Sequence, residues 1–586
     1  MDKYFNRIKT HEYMKRIFAI MAGAAIIAGC SKFLDCPPSA VLSDSNVTGA
    51  DAIEGLVVSS YASLLNDSWN RPMNLWPYMI TRSDDAYKGG SGTNDQSYMH
   101  YLEVSEGMQN VITAGAVNNL WINLYQGISR CNSALKTIAE VDPTSFPLTK
   151  ERAAEMKFLR AQYYLRLKIV FNSVPWVDET MTQDEIIETS NVALTSDQLW
   201  EKIYQDCVDA YNGLPETQAE LGRPTKYAAA AAAAKVALYR AYGQDEKWQL
   251  TTISQERMKE VLDWTSKVMA GPYELNSDFG TNFYPAGDNS KESIWAIQYS
   301  HDDGTLKGRG NYGDGLVWPI GVGGCDFLKP SQNLVNAFKT KDGLPMFEDY
   351  DSVDYDYNNP TAFTVDPRLY HTVSMPTIAF KLTYDESQTN NNIYAESWSR
   401  LPSAYGYYAT AKQVLPINDP HMTPIPPFLG CSLNKADYRL DDVMLMRAEA
   451  LVETGAWAEA RELVNALRRR AAASETYFTA QTGVPANRSV REYTAAEWKS
   501  QEFARDAYRW ERRLELAMEG WRFFDLVRWG VASEVLNSYY KSEPDAATGR
   551  AYFYEQGKFD AGDEYLPIPN VQMTLSRGVY TQNWSY

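Results

Sequence analysis

Histidine and cysteine are scarce in this chain, and their scarcity narrows what it can do. Five histidines (His11, His100, His301, His371 and His421) lie far apart in a sequence of 586 residues, and the six cysteines form no CxxC pair. Structural zinc finds no support in that spacing. P-loop, GxSxG and HExxH sequences are missing too, and with them familiar signatures of phosphate binding, serine hydrolysis and zinc proteolysis. Basic residues are outnumbered: 56 Lys and Arg against 74 Asp and Glu leave a net charge of −18. That balance disfavours nucleic acid, whose phosphates need a basic face, and docking onto an anionic bilayer. Past the N-terminus, no run approaches the roughly 18 apolar residues of a membrane-spanning helix.

What the chain has in quantity is aromatic: 39 Tyr and 16 Trp. Such rings build cores, and in this number they also suit a surface that grips ligands. The N-terminus reads as an address. Lys3, Arg7, Lys9, Lys15 and Arg16 precede a short apolar run at 17–27, too short for a transmembrane anchor. Ile27-Ala28-Gly29-Cys30 then matches a bacterial lipobox, which makes Cys30 the expected lipid anchor, with two or three acyl chains holding the protein to a bilayer. Met14 opens a complete signal of its own (MKRIFAIMAG) and is an alternative start to Met1. The five remaining cysteines (Cys36, Cys131, Cys207, Cys325 and Cys431) are odd in number and widely spaced, which is no disulfide framework.

Helical spacing begins at Asp51, with Ala52, Leu56 and Leu64 on one face, and returns from Trp121 through Asn132 to Ile138. A third helix, Ala154–Phe171, is ended by Asn172 and Pro175. A weak repeat follows. Ala237–Gly243 leads through Trp248 to a helix over Val261, Trp264 and Val268, and Ala450–Gly455 leads through Trp457 to one over Ala460, Leu463 and Leu467. Both read as helix, glycine turn, aromatic, helix, the logic of tetratricopeptide units. The alanine run 228–234 suits close helix packing. Between the repeats, residues 276–430 differ in character: Ser293–Tyr299 reads as a strand, and 304–324 carry eight glycines around Tyr312 and Trp318. The expected fold is mainly α. A tetratricopeptide-like helical scaffold occupies 51–275 and 431–586, with an inserted loop-rich, partly β ligand-binding region at 276–430. A signal peptide at 1–29 and a lipidated tether at 30–50 precede it.

Glu511–Gly530 (ERRLELAMEGWRFFDLVRWG) has a helical period with more than one apolar face and so must be packed by other helices. Arg512 and Glu515, like Glu519 and Arg522, are spaced to pair on a helix surface, and Gly520 is placed to bend or break the helix. The chain closes with LPIP at 566–569 and TQN at 581–583, where alternating prolines impose an extended path and predict a tail wrapped on the helical domain. These two segments resemble the C-terminal signature of the SusD/RagB family of outer-membrane nutrient-binding lipoproteins from Bacteroidetes. The lipobox, the W-x-x-x-Y-x-x-I-x-x-x-N run from Trp121, the K-F-L-R-A-x-Y-Y run before Val174-Pro175, Asp366-Pro367-Arg368-Leu369 and Tyr405–Tyr408 are similar to family features as well.

The resemblance implies a non-catalytic protein on the outer face of the outer membrane. It would bind oligosaccharides or polysaccharide fragments and deliver them to a TonB-dependent, SusC-like transporter; no cofactor and no metal-ligating residue is expected, and the sequence leaves open whether calcium assists. Some relatives take peptides, so an oligopeptide ligand is the alternative. A glycan-active enzyme is another, and as a glycosidase it would need carboxylates about 5–10 Å apart. Tyr312 and Trp318 in the glycine-rich loop form the expected stacking platform. Asp84 and Asp85 supply the polar contacts, with Tyr98 nearby. Each also has a plainer reading: Trp318 as a plug in the core, and the Asp pair as cap or turn formers.

Overall fold

Helix ends in this protein are set by short polar side chains, as local chemistry dictates. Thr195, Thr225, Ser254 and Ser500 each accept a hydrogen bond from a first-turn backbone N–H, and Asn172 stops its helix at φ 61°. The computed structural model of the protein describes residues 50–65, 73–304, 309–381, 392–425, 427–474 and 483–586. The signal, Cys30 and the tether lie outside them. Residues 54–586 form one unit, and 50–53 begin the first helix.

The protein is mainly helical, with strands only in small sheets. Helices α1 (Ala50–Ala62), α2 (Gly115–Glu140), α3 (Thr149–Phe171), α4 (Ser196–Gly213), α5 (Lys226–Ala241) and α6 (Gln255–Met269) come first. Then follow α7 (Leu440–Glu453), α8 (Trp457–Ala473), α9 (Gln501–Glu515), α10 (Arg522–Arg528) and α11 (Ala532–Ser542). From α2 to α6 each helix packs on the next; α7 continues the row on α6, and α8 and α9 pack on α7. The row is therefore continuous in space although residues 270–439 intervene in the chain. Small residues make the spacing possible. Ala228–Ala234 are all fully buried in α5, and a Cβ on Gly127 of α2 would come within 2.4 Å of the Tyr163 ring on α3.

The intervening residues, joined by one strand from before α2, form paired strands and shaped loops. Strands β1 (Ala86–Gly89), β2 (Ser293–Ile297), β3 (Phe327–Pro330), β4 (Met422–Ile425), β5 (Phe428–Cys431) and β6 (Lys435–Arg439) matter most for the site. β2 and β6 pair antiparallel and both rest on α5, holding the two ends of the insertion against the helices. β1 pairs with β3, and β4 with β5 in a hairpin.

Glu511–Gly530 meets the expectation of a break near Gly520 and departs from expectation in its charge pairs. It is broken between α9 and α10, where Met518 and Gly520 sit at φ 63° and 109°. The surface pairs expected along it do not form, because its charges are buried or half-buried and turn to other partners, most of them far along the chain. Arg512 pairs with Asp442 and Asp525, Glu515 with Arg368 and Arg470, Glu519 with Lys412 and Arg439, and Arg522 with Asp84. Ions removed from water need partners on several sides, and a single helix face supplies too few.

Candidate functional site

The loop 309–325 is pinned from beneath by polar bonds. Asn311 donates its backbone N–H to the Cys431 carbonyl at 2.7 Å, and the Trp76 indole donates to Gly313 O at 2.9 Å. Asp314 accepts from Asn74 at 2.5 Å and Asn311 at 2.7 Å, and burial pushes its carboxyl up to about 6. Anchored this way, the loop turns Leu316, Val317 and Trp318 inward. Trp318 is fully buried, with its carbonyl accepting the Asp326 N–H at 2.9 Å. It plugs the base of the loop and offers no face for stacking.

Asp84 and Asp85 are likewise buried, and their placement corrects the expectation that they face a ligand. Arg522 donates to both Asp84 oxygens at 2.9 Å, and Arg513 donates to Asp85 Oδ1 at 2.9 Å. Burial alone would raise Asp84, but the Arg513 and Arg522 charges outweigh it and hold the carboxyl well below its usual range; burial dominates at Asp85 and raises it. Arg82 lies over the Phe523 ring at 4.0 Å. The Thr81–Asp85 segment is thus a bolt between the N-terminal half and the C-terminal signature. Tyr98 is buried against Tyr78, their ring centroids 6.4 Å apart.

Tyr312 alone among the expected ligand residues is half-exposed. It lines a groove of about 390 Å³ with Ala62, Leu65, Gln126, Arg130, Arg309 and Gly310. Two further aromatic features of the insertion were not expected as ligand contacts. Trp398 lies directly on the Gly321 backbone, where a Cβ would meet its ring at 2.2 Å, so glycine is required for that approach. Beside it, the half-exposed Tyr357 and Tyr407 rings meet edge to face at 6.1 Å, and the Tyr357 hydroxyl donates to the exposed Glu396 at 2.7 Å. Tyr407 lies in the Tyr405–Tyr408 run noted in the sequence, whereas Trp398 and Tyr357 have no glycine beside them and carry no signal beyond their aromatic character, which also marks buried rings.

Two interior features resemble sites and are accounted for by pairing. A cavity of about 110 Å³ lies between α3, β6 and the residues after α9. Its charges are paired as Arg166–Asp437, Lys412–Glu519 and Arg439–Glu519. Glu292, Asp441 and Glu515 bring carboxylate oxygens together within 4.8 Å, but Arg470, Arg439 and Arg368 already occupy them. A cation there would have to displace guanidinium groups from a fully buried network.

A spatially continuous row of helices carrying a glycine-rich, aromatic-studded insertion defines a helical-repeat scaffold with a loop-rich insertion. The chain belongs to the SusD family, whose model matches residues 291–586, and a second model described as "Starch-binding associating with outer membrane" matches residues 51–238. Among characterised relatives, SusD-like protein P2 of Formosa agariphila is 24% identical over 573 residues, covering 96% of this chain and 97% of its own. SusD-like protein P25 of the same organism is 23% identical, covering 86% and 88%. Among solved structures, a SusD superfamily protein from Bacteroides vulgatus aligns with a TM-score of 0.65 at 21% identity, over 92% of this chain and 99% of that one. A laminarin-binding SusD-like protein aligns at 0.63 and 22% over 92% and 100%. Surface glycan-binding protein A from Bacteroides thetaiotaomicron, in complex with laminarihexaose, aligns at 0.61 and 20% over the same shares. At these identities the likeness is one of fold.

Proposed function

We propose that this protein binds oligosaccharides at the cell surface without turning them over, and delivers them to a TonB-dependent, SusC-like transporter in the outer membrane. The observation that carries the reading is the set of half-exposed aromatics on the insertion of a SusD-family scaffold: Tyr312 in its groove, Trp398, and the Tyr357–Tyr407 pair with Glu396. Rings of this kind stack on the apolar faces of sugars, and carboxylates, guanidiniums and amides accept or donate to the hydroxyls around them. Structural neighbours that bind laminarin or hold laminarihexaose support a glycan as the ligand class and suggest β-glucan oligosaccharides as the first probes. The enzyme reading loses its first candidate acids, since Asp84 and Asp85 are both held by arginine. Lipidation at Cys30 would set the protein on the membrane.

The test is calorimetry with laminari-oligosaccharides and a glycan array, comparing the native chain with Tyr312→Ala and Tyr357→Ala. Saturable binding weakened by either substitution, with no release of reducing ends, is the expected result. Binding of peptides in place of glycans would move the protein to the oligopeptide reading, and steady release of reducing sugar would make it an enzyme. Cys30→Ala should shift the protein from the membrane to the soluble fraction, and co-purification with a large β-barrel would identify the transporter.

A further inference from the structure

Two of the five histidines, 120 positions apart by number, meet in space. His301 follows β2, His421 precedes β4, and their ring centroids stand 4.5 Å apart with planes inclined at 64°. Both rings are partly exposed, His421 with 35% of its side chain open to solvent. Each is oriented by a hydrogen bond at Nδ1. Asp419 Oδ1 lies 2.9 Å from His421 Nδ1 and accepts its proton, because a carboxylate has none to give. With Nδ1–H directed at Asp419, Nε2 is the ring nitrogen of His421 left for a ligand. The same oxygen accepts the His421 backbone N–H at 2.8 Å, so the carboxylate is itself held in place. Ser432 Oγ lies 3.1 Å from His301 Nδ1, and the Ser432 N–H donates to the His421 carbonyl at 3.0 Å, tying the two histidines to one another's supports.

We infer that His301 and His421 form a two-imidazole site for a divalent transition-metal ion of the Zn²⁺ or Cu²⁺ class. Neutral imidazole is a common protein ligand for these ions, and a carboxylate behind the imidazole is the arrangement that orients such ligands and raises their basicity. Nitrogen donors select against Ca²⁺ and Mg²⁺, which take oxygen. The spacing fits: two imidazoles bound to one ion at about 2.0–2.1 Å, between a right and a tetrahedral angle, have centroids roughly 4.5–5.2 Å apart. Water completes the coordination on the exposed side. The ion would act as a clip. Ser300, next to His301, donates its N–H to the carbonyl of Arg309 and accepts the Arg309 N–H at its Oγ, and Arg309 lines the Tyr312 groove, while His421 sits at the start of the β4–β5 hairpin. Binding therefore braces the groove wall against the hairpin, whatever ligand the groove takes.

The experiment is isothermal titration of the untagged chain with ZnCl₂, repeated on His301→Gln, His421→Gln and Asp419→Asn, with circular dichroism confirming that each variant is folded. One Zn²⁺ per chain in the micromolar range is expected, weakening as the buffer is acidified because protons compete for the nitrogens. Each histidine variant should lose at least about tenfold in affinity, and Asp419→Asn about 10–100-fold although it removes no ligand atom. Cu²⁺ electron paramagnetic resonance should show two nitrogen donors in the native chain and one in each histidine variant. Absence of saturable binding, affinity unchanged in the histidine variants, or loss in only one of them would each overturn the site. The acidic surface binding zinc by itself would give the second of these outcomes.

Discussion

At the scale of single residues, burial decides role. Trp318 and Tyr312 share one loop, yet one is sealed in the core and the other lines an open groove. Trp318→Ala should cost about 3–5 kcal/mol of stability by leaving a cavity, with ligand affinity retained in the molecules that remain folded. Tyr312→Ala should do the reverse, leaving the melting temperature nearly unchanged and weakening the ligand by about 1–3 kcal/mol, or roughly 5–150-fold. Measuring both quantities on both variants separates the roles. Glu543 makes a second case. It accepts the Gln332 N–H at 2.9 Å and the Tyr87 hydroxyl, and burial pushes its carboxyl up to about 8 despite the pull of Arg550. The folded protein therefore keeps this proton to a higher pH than the unfolded chain. The stabilisation is complete below the unfolded value of 4.5 and is lost as pH rises through 8. Glu543→Gln should remove a pH-dependent component on the order of 4 kcal/mol, so denaturant midpoints of the variant fall less steeply between about pH 5 and pH 8. Asp288 and Asp563, each pushed up to about 7 by burial, slope the same way in both proteins and cancel in the comparison.

At the scale of elements, buried ion pairs do the joining. α9 and α10 send arginines outward to two neighbours: Arg513 and Arg522 to the 81–85 segment, and Arg512 and Arg528 to Asp442 and Glu449 of α7. Replacing one member strands its partner away from water. Arg513→Met should therefore destabilise the fold by about 3–5 kcal/mol, since it abandons Asp85 and half of the Asp84 contacts at once. Adding Asp85→Asn should recover part of that loss, because the abandoned charge is then gone. A double variant no better than the single one would show that Arg513 contributes through packing instead.

At the scale of the whole molecule, the tail closes the structure. The Leu566 N–H bonds to Val170 O at 2.8 Å, and Asn583 donates to Phe171 O at 2.9 Å and Leu566 O at 2.8 Å. Asn191 and Thr581 exchange two bonds of 2.8 Å. The last residues thus grip the C-terminal end of α3, which lies in the first half of the chain, and Leu566 and Ile568 are fully buried there. Removing residues 567–586 should cost at least about 2 kcal/mol, from the exposure of Ile568 and the loss of those bonds. An unchanged melting temperature of the truncated chain would show that the tail contributes nothing.

How much of this was legible beforehand follows from the range of the interactions involved. Helix periods, caps and the stop at Asn172 depend on residues three or four apart, so the sequence by itself determined a mainly helical protein, its glycine-rich insertion and, through the 511–530 and 566–583 segments, its family. Pairing across the molecule has no such local trace. Asp85 meets an arginine 428 residues away, and nothing around Asp85 announces whether its partner will be a protein cation or a sugar hydroxyl. Trp318 and Tyr312 carry the same signal, an aromatic among glycines, and only the anchoring of the loop by Trp76, Asn74 and Cys431 turned one inward and left the other at the surface. Histidines counted as scattered became neighbours for the same reason. Which groups are buried together was decided by the tertiary structure, because desolvation and charge pairing act through space and not along the chain.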